Sequence, residues 1–448
     1  MSPERAGTLW CELAWLGGER AEAGVAVELD GERIASVTTG VESPPPGATP
    51  LPGLTIPGMA NAHSHAFQRA LRGRTQAGSG NFWTWRSQMY EVADRIEPDL
   101  YLALARATFG EMALAGITTV GEFHYLHHGP GGIRYEDPNA LGQAVIAAAR
   151  EAGIRITLLD ACYLHGGIGR EAEGVQLRFS DGSTEDWAKR VDEIQPGDGA
   201  RVGAAIHSIR AVDPEAAAQV AAFAAERSWF LHAHVSEQPG ENEDCLSAYG
   251  LSPTGVLAEA GALSPGFTAV HATHMADGDL ELLAGGGCGV CLCPTTERDL
   301  ADGVGPARRL AEAGARLSLG TDSQAVIDVF EEARAVELDE RLETGVRGGH
   351  STGELLRAAT AEGCAAIGWP EAGRIEPQAL ADLVTVALDG VRLAGTSVDH
   401  ALESLVFAAT AADVREVIVG GRFVVRDGTH VDLDVASELN DAISRLSA

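Results

Sequence analysis

Lysine is nearly missing from this chain. One, Lys189, stands among 33 basic residues, against 64 acidic ones, and the formal net charge is -31. A field of that sign repels phosphate before contact forms, which argues against a nucleic-acid partner and an anionic membrane surface. An anionic small molecule would need a local arginine cluster to overcome it. Cysteine is also sparse: seven residues, an odd number without the regular spacing of a disulfide framework, which points to a reducing compartment. CGVC at Cys288 lies inside the apolar run CGVCLC without a second pair, so it reads as small buried strand residues rather than a zinc ribbon or redox pair. No apolar run approaches a membrane span, and MSPERAGTLW lacks the basic start and apolar stretch of a secretion signal. The expected location is the cytoplasm. With 45% hydrophobic and 22% charged residues the chain has the composition of a folded protein, and its 448 residues allow one large barrel with an accessory domain.

From about residue 60 to 375 short apolar runs alternate with longer Ala/Leu/Glu segments of helical period, the pattern of repeated βα units and a parallel sheet. Eight strands are expected, around TIPGMANAHSH, ITTVGEFH, IRITLLDACY, RVGAAIHS, WFLHAHVSE, FTAVHATH, CGVCLCPTT and ARLSLGTDS. The expected fold class is α/β, a (β/α)8 TIM-like barrel over residues 58–374. The ends differ from the middle. VAVELDGERIASVTTG near the start, with DLVTVALDG and VREVIVGGRFVVRDG after residue 375, are strand-and-turn patterns with DG or GG turns. They read as two halves, 1–57 and 375–448, of one small β-sandwich domain, the second half ending in a helix. Polar side chains gather at the ends of the barrel runs: His63, His65, His124, Tyr163, His207, His234, His271, Thr295 and Asp322. Barrel enzymes carry their active sites on that face.

Residues two apart in a strand share a face, so His63 and His65 can aim at one ion above the barrel mouth. Asp322 in GTDS ends the last strand, beside the first, and can close the shell from the other side, while Asp328 is the better helix cap. In HAHVSE the histidine nearer the strand end, His234, is the expected ligand, and His232 lies deeper as a hydrogen-bonded core residue. Glu237, just past that strand, can carry a proton to or from a substrate. A lysine carbamate bridging two ions needs a lysine at the end of the fourth strand, and Lys189 lies instead in the helical STEDWAKRVDEI segment before it. One metal ion is therefore expected.

HSHAFQRALRGR, FWTWR, EFHYLHH, IHSIRAV, HAHVSEQ, VHATH and GTDS together resemble the amidohydrolase superfamily and, within it, the formimidoylglutamate deiminases of histidine degradation. The resemblance implies a single zinc held by His63, His65, His234 and Asp322, with Glu237 and His271 beside the attacking water. It further implies that Gln68, Arg86, Tyr125, His207 and Arg210 bind a small anionic amino-acid-derived substrate, N-formimino-L-glutamate, which water converts to N-formyl-L-glutamate and ammonia. Arg86 is expected on a long loop after the first strand. The resemblance assigns no role to Glu297, Arg298 or Gln324, and a homodimer is compatible with the sequence.

Arginine forks pair carboxylates bidentately, so Arg86 and Arg210 would supply the positive field that the chain otherwise lacks; the plainer alternative for Arg210 is a surface pair with Asp213. His127 and His128 read as rim residues, His274 as support for the site, the Arg69, Arg72 and Arg74 run as a partly solvated face, and Glu331 with Glu332 as a solvated helix start. A guanine-type or triazine-type aminohydrolase would use the same metal kit on a planar heterocycle. A catalytically silent scaffold would be expected to lack ligands, whereas all four are present.

Overall fold

The computed structural model describes residues 7–447 apart from Gly78. The chain begins with four strands, β1 (Thr8–Ala14), β2 (Glu22–Asp30), β3 (Arg33–Thr38) and β4 (Thr49–Pro57). The barrel follows with β5 (Met59–Ser64), β6 (Ile117–His124) and β7 (Arg155–Cys162), after which a short antiparallel hairpin, β8 (His165–Gly167) and β9 (Arg170–Glu171), is inserted. Five more barrel strands complete the ring: β10 (Ala200–Ile206), β11 (Leu231–Val235), β12 (Phe267–His271), β13 (Gly289–Leu292) and β14 (Arg316–Leu319). These eight correspond one by one to the runs read from the sequence. They pair in parallel in chain order, and a parallel bridge between Ser64 and Asp322 joins the last turn to the first strand. Most residues of these strands are buried, which is why they read as continuous apolar runs rather than as alternation.

The intervening helices start and stop where local chemistry dictates. The helix Pro98–Leu114 opens on a proline whose missing N–H costs nothing in the first turn. It ends before Gly116, whose φ of +86° favours a residue without Cβ.

The chain then returns to the first sheet through β15 (Leu383–Val386), β16 (Val414–Val419), β17 (Arg422–Arg426) and β18 (Thr429–His430). β15 pairs antiparallel with β4, so both chain ends share one eight-stranded sheet in the order β18-β17-β16-β15-β4-β1-β2-β3. A bridge between Arg33 and Leu380 draws the β3 edge back toward the start of β15, four places away in the sheet, so the sheet curls over its own core. That core takes Leu9, Val25, Ile34 and Leu51 from one end of the chain and Leu383 and Ile418 from the other.

Barrel and sheet are fastened by a buried ion pair. Arg155, the first residue of β7, donates through Nε and Nη2 to both oxygens of Asp382, at 2.8 and 3.1 Å. Asp382 is fully buried and also accepts from the Gly420 N–H at 2.7 Å. Removing one partner strands a buried charge, so Asp382→Ala is expected to lower the unfolding free energy by about 3–5 kcal/mol. Denaturant titration checks this, and a loss below 1 kcal/mol would show that water reaches Arg155.

Candidate active site

The end of β5 and the turn after β14 are built together. The His65 N–H donates to the Asp322 carbonyl at 3.1 Å and the Asp322 N–H to the His63 carbonyl at 3.0 Å, so the ladder that closes the barrel also seats Asp322 beside both histidines. Asp322 Oδ1 lies 3.3 Å from the Nε2 atoms of His63 and His65. From β11, His234 brings its Nε2 to 3.1 Å from that of His63. Ligand atoms on one zinc ion, with bonds of about 2.0–2.1 Å, stand about 3 Å or more apart, as these three contacts do; His63, His65 and Asp322 form one close group and His63, His234 and His271 a second, joined at His63. The four residues could hold one divalent ion.

Their surroundings prepare them for it. Carbonyl oxygens only accept, so the Phe123 carbonyl, 2.9 Å from His65 Nδ1, and the His207 carbonyl, 2.8 Å from His234 Nδ1, fix the ring protons there and turn both Nε2 lone pairs inward. Burial, with neighbouring imidazoles, holds His63 and His234 well below the ordinary histidine pKa and lowers His65 to about 3. Neutral imidazoles are the form that binds metals. Gly320 leaves room for this arrangement, since a Cβ there would sit 2.7 Å from His63 Cβ. Ser236, His271 and Asp322, beyond or at three strand ends, all have φ between +44° and +69°, backbone strain of the kind concentrated at functional sites.

Glu237 and His271 flank the cluster. His271 Nε2 lies 3.9 Å from Glu237 Oε1 and 3.9 Å from Asp322 Oδ2. Its Nδ1 faces Glu297 Oε1 at 3.3 Å, and that oxygen also accepts from the Cys293 N–H. Burial opposes a charge on His271, but the hydrogen bond to Glu297 and the carboxylates of Glu237 and Asp322 outweigh it and lift the pKa to about 10. Arg210 donates through Nη2 to Glu237 Oε2 at 2.9 Å, and its Nε lies 3.9 Å from Glu241 Oε1. Arg210 is thus not the surface partner of Asp213, which accepts from His165 and caps the helix Pro214–Glu226.

Above the cluster one cavity is lined by all five residues expected to bind substrate, Gln68, Arg86, Tyr125, His207 and Arg210. Gln68 Nε2 donates to the Tyr125 hydroxyl at 3.0 Å. The Tyr125 and Tyr163 rings stand edge-on to His207, with centroids 5.3 and 4.8 Å from it. Arg86 lies in the helix Phe82–Arg95 rather than on a loop, its guanidinium 4.4 Å over the Trp83 ring. The helix starts there because Asn81 caps it, accepting from the Trp83 and Thr84 N–H groups in a reciprocal capping box with Thr84.

Other residues sit differently from their sequence reading. His127 and His128 are buried, not on the rim: His127 Nε2 donates to the Ala161 carbonyl, and His128 Nε2 lies 3.1 Å from Asp181. His124, His127 and Asp160 gather closely enough for a metal, yet Arg190 occupies both Asp160 oxygens at 2.8 Å, and its charge repels a cation. Glu332 is no solvated helix start; it is fully buried and accepts from the Thr295 N–H and hydroxyl. His232 bonds the Ala366 carbonyl, and Lys189 pairs with Glu185 on the solvated face of its helix. Gln324 is buried against Ser64 and Thr321, while Arg298 reaches outward to Glu331. The sequence reading passed over Glu297, Glu241 and Glu122; Glu122 accepts from Ser64 Oγ and the Ala66 N–H and so pins the turn that carries His65. The available signal for Glu122 was a carboxylate inside the apolar run ITTVGEFH, which must have partners if buried.

The chain has known relatives. The chain is 38% identical to the formimidoylglutamate deiminase of Pseudomonas aeruginosa over 398 residues, covering 86% of this chain and 87% of that one. It is 30% identical to a 5-methylthioadenosine/S-adenosylhomocysteine deaminase of Natronomonas pharaonis, covering 87% and 85%. The crystal structure of an amidohydrolase from Brucella melitensis superposes with a TM-score of 0.91 at 32% identity, covering 99% of this chain and 100% of that one. Residues 54–424 match the family model described as "Amidohydrolase family", and the chain belongs to that family.

Proposed function

We propose that this C–N hydrolase converts N-formimino-L-glutamate and water to N-formyl-L-glutamate and ammonia, with one zinc ion held by His63, His65, His234 and Asp322. When bound, that ion lowers the pKa of a water molecule toward neutrality and so supplies a nucleophile. The rest is the work of side chains. His271, held charged by Glu297, Glu237 and Asp322, helps orient the water, and Asp322 takes its proton as oxygen adds to the amidine carbon. Glu297 holds the far nitrogen of His271 and so acts as a positioning residue. Asp322 and Glu237 between them carry both protons of the water to the terminal nitrogen, one as the oxygen adds and one from the resulting hydroxyl as the carbon–nitrogen bond breaks, so ammonia leaves while the carbon keeps the oxygen as a formyl group. Gln68, Tyr125 and His207 hold the amidine end, and Arg86 and Arg210 receive carboxylate.

The observation that carries this reading is the presence of Arg86 and Arg210 on the wall of the cavity that contains the metal-type cluster, in a chain of net charge -31. One feature favours a second reading: Phe82, Trp83, Trp85 and Tyr90 also line the cavity and could stack a planar heterocycle such as a purine. Ammonia release by zinc-loaded protein, measured side by side on N-formimino-L-glutamate and guanine, separates the two. Turnover of the formimino substrate is expected. Activity on guanine alone would remove the substrate assignment and leave the cluster untouched.

A further inference from the structure

The cavity contains a third guanidinium. Arg170, in β9, lines it together with Arg86 and Arg210, but the three differ in what they already bind. Arg210 is innermost, tied to Glu237, which faces His271. Arg86 is half-buried and Arg170 exposed, and among the described residues neither pairs with a carboxylate. In a chain with 64 acidic residues against 33 basic ones, two unpaired guanidiniums on one cavity wall mark a place for an external anion.

The hairpin that carries Arg170 is fastened on two sides. The Leu164 and His165 N–H groups both donate to the Ala211 carbonyl at 2.9 Å, and His165 Nε2 lies 3.0 Å from Asp213, which ties the hairpin to the loop holding Arg210. On the other side Gln176 Nε2 lies 3.4 Å from the Gly166 carbonyl and 3.1 Å from the Tyr90 hydroxyl, on the helix that carries Arg86. Arg170 pairs across the hairpin with Gly167, and its side chain lies along that residue, where a Cβ would meet Arg170 Cδ at 3.6 Å. The guanidinium is therefore presented from a tethered element that spans the two other arginines.

In N-formimino-L-glutamate the α-carboxylate hangs on the carbon bonded to the internal nitrogen of the amidine, one atom from the reacting carbon, so it must stay near the metal cluster. The side-chain carboxylate reaches two methylenes farther, toward the rim. We infer that Arg170 is a specificity-determining residue that, with Arg86, receives the side-chain carboxylate, while Arg210 takes the α-carboxylate; this rests on the function proposed above.

The test compares Arg170→Gln and Arg170→Lys with the unaltered zinc-loaded protein on N-formimino-L-glutamate and N-formiminoglycine, which lacks the outer carboxylate. Arg170→Gln is expected to lower kcat/KM for the first relative to the second about fivefold, through KM, and Arg170→Lys to recover part of the loss. An unchanged ratio overturns the inference. Calorimetric titration of the same proteins with glutarate and with acetate gives a readout that needs no turnover. Weaker glutarate binding in Arg170→Gln, with acetate binding unaltered, supports the assignment, and equal binding overturns it. If the unaltered protein releases ammonia from neither formimino acid, the proposed function fails, and the glutarate titration alone decides Arg170.

Discussion

Glu237→Gln is expected to lower kcat for ammonia release by about 10²–10⁴-fold while zinc content stays at the level of the unaltered protein. Glutamine keeps the shape of the side chain, and its amide oxygen can still accept from Arg210, which now donates to Glu237 at 2.9 Å. What it loses is the ability to take up and deliver a proton. On the proposed ligand set Glu237 does not touch the ion, so metal content and catalysis should separate. The checks are steady-state kinetics and zinc measured by atomic absorption. Activity within tenfold of the original would assign the proton to another group, with His271, 3.9 Å from Glu237, the first candidate.

His234→Ala is expected to abolish stoichiometric zinc binding and to bring ammonia release down to background. His234 supplies one of the four proposed donors, and its Nδ1 is already committed to the His207 carbonyl at 2.8 Å, so the ring has one orientation, with Nε2 turned to the cluster. Excess zinc should stabilise the unaltered protein by about 2.7 kcal/mol at a hundred times the dissociation constant, and this thermal shift should vanish in the variant. His232→Ala, two residues earlier, is the control. That histidine bonds the Ala366 carbonyl within the barrel and should cost stability without costing metal. Equal metal loss in both variants would mean that the fold, not the ligand, had failed.

The features legible in the sequence were those encoded over short distances. Eight apolar runs ending in polar residues gave eight barrel strands, because a strand buried on both faces leaves a continuous signature. The His63/His65 and His232/His234 pairs could be sorted by strand alternation and by position along the run. What could not be read depends on partners far away in the chain. Glu297 meets His271 across 26 residues, Ser64 meets Glu122 across 58, and Thr295 meets Glu332 across 37. Glu297 and Glu332 sit in segments that read as solvated surface until the barrel brings their donors alongside, and the apolar run around Glu122 does not say which donor it meets. Arg86 is a different case: NFWT, with Asn81 and Thr84 in capping-box spacing, encodes the start of its helix locally, and the aromatic cluster obscured it.

The bridge between Ser64 and Asp322 is where the first and last barrel strands meet. Two of the four donors, His63 and His65, stand on one side of that seam and Asp322 on the other, with two backbone hydrogen bonds between them. The proposed ion would be a clasp as well as a reagent: it would tie residues 63 and 65 to residue 322, the longest loop the barrel has to close. On the proposed ligand set, completing the ring and bringing His63, His65 and Asp322 together would therefore be one event, and a chain without its final strand in place would have no metal site.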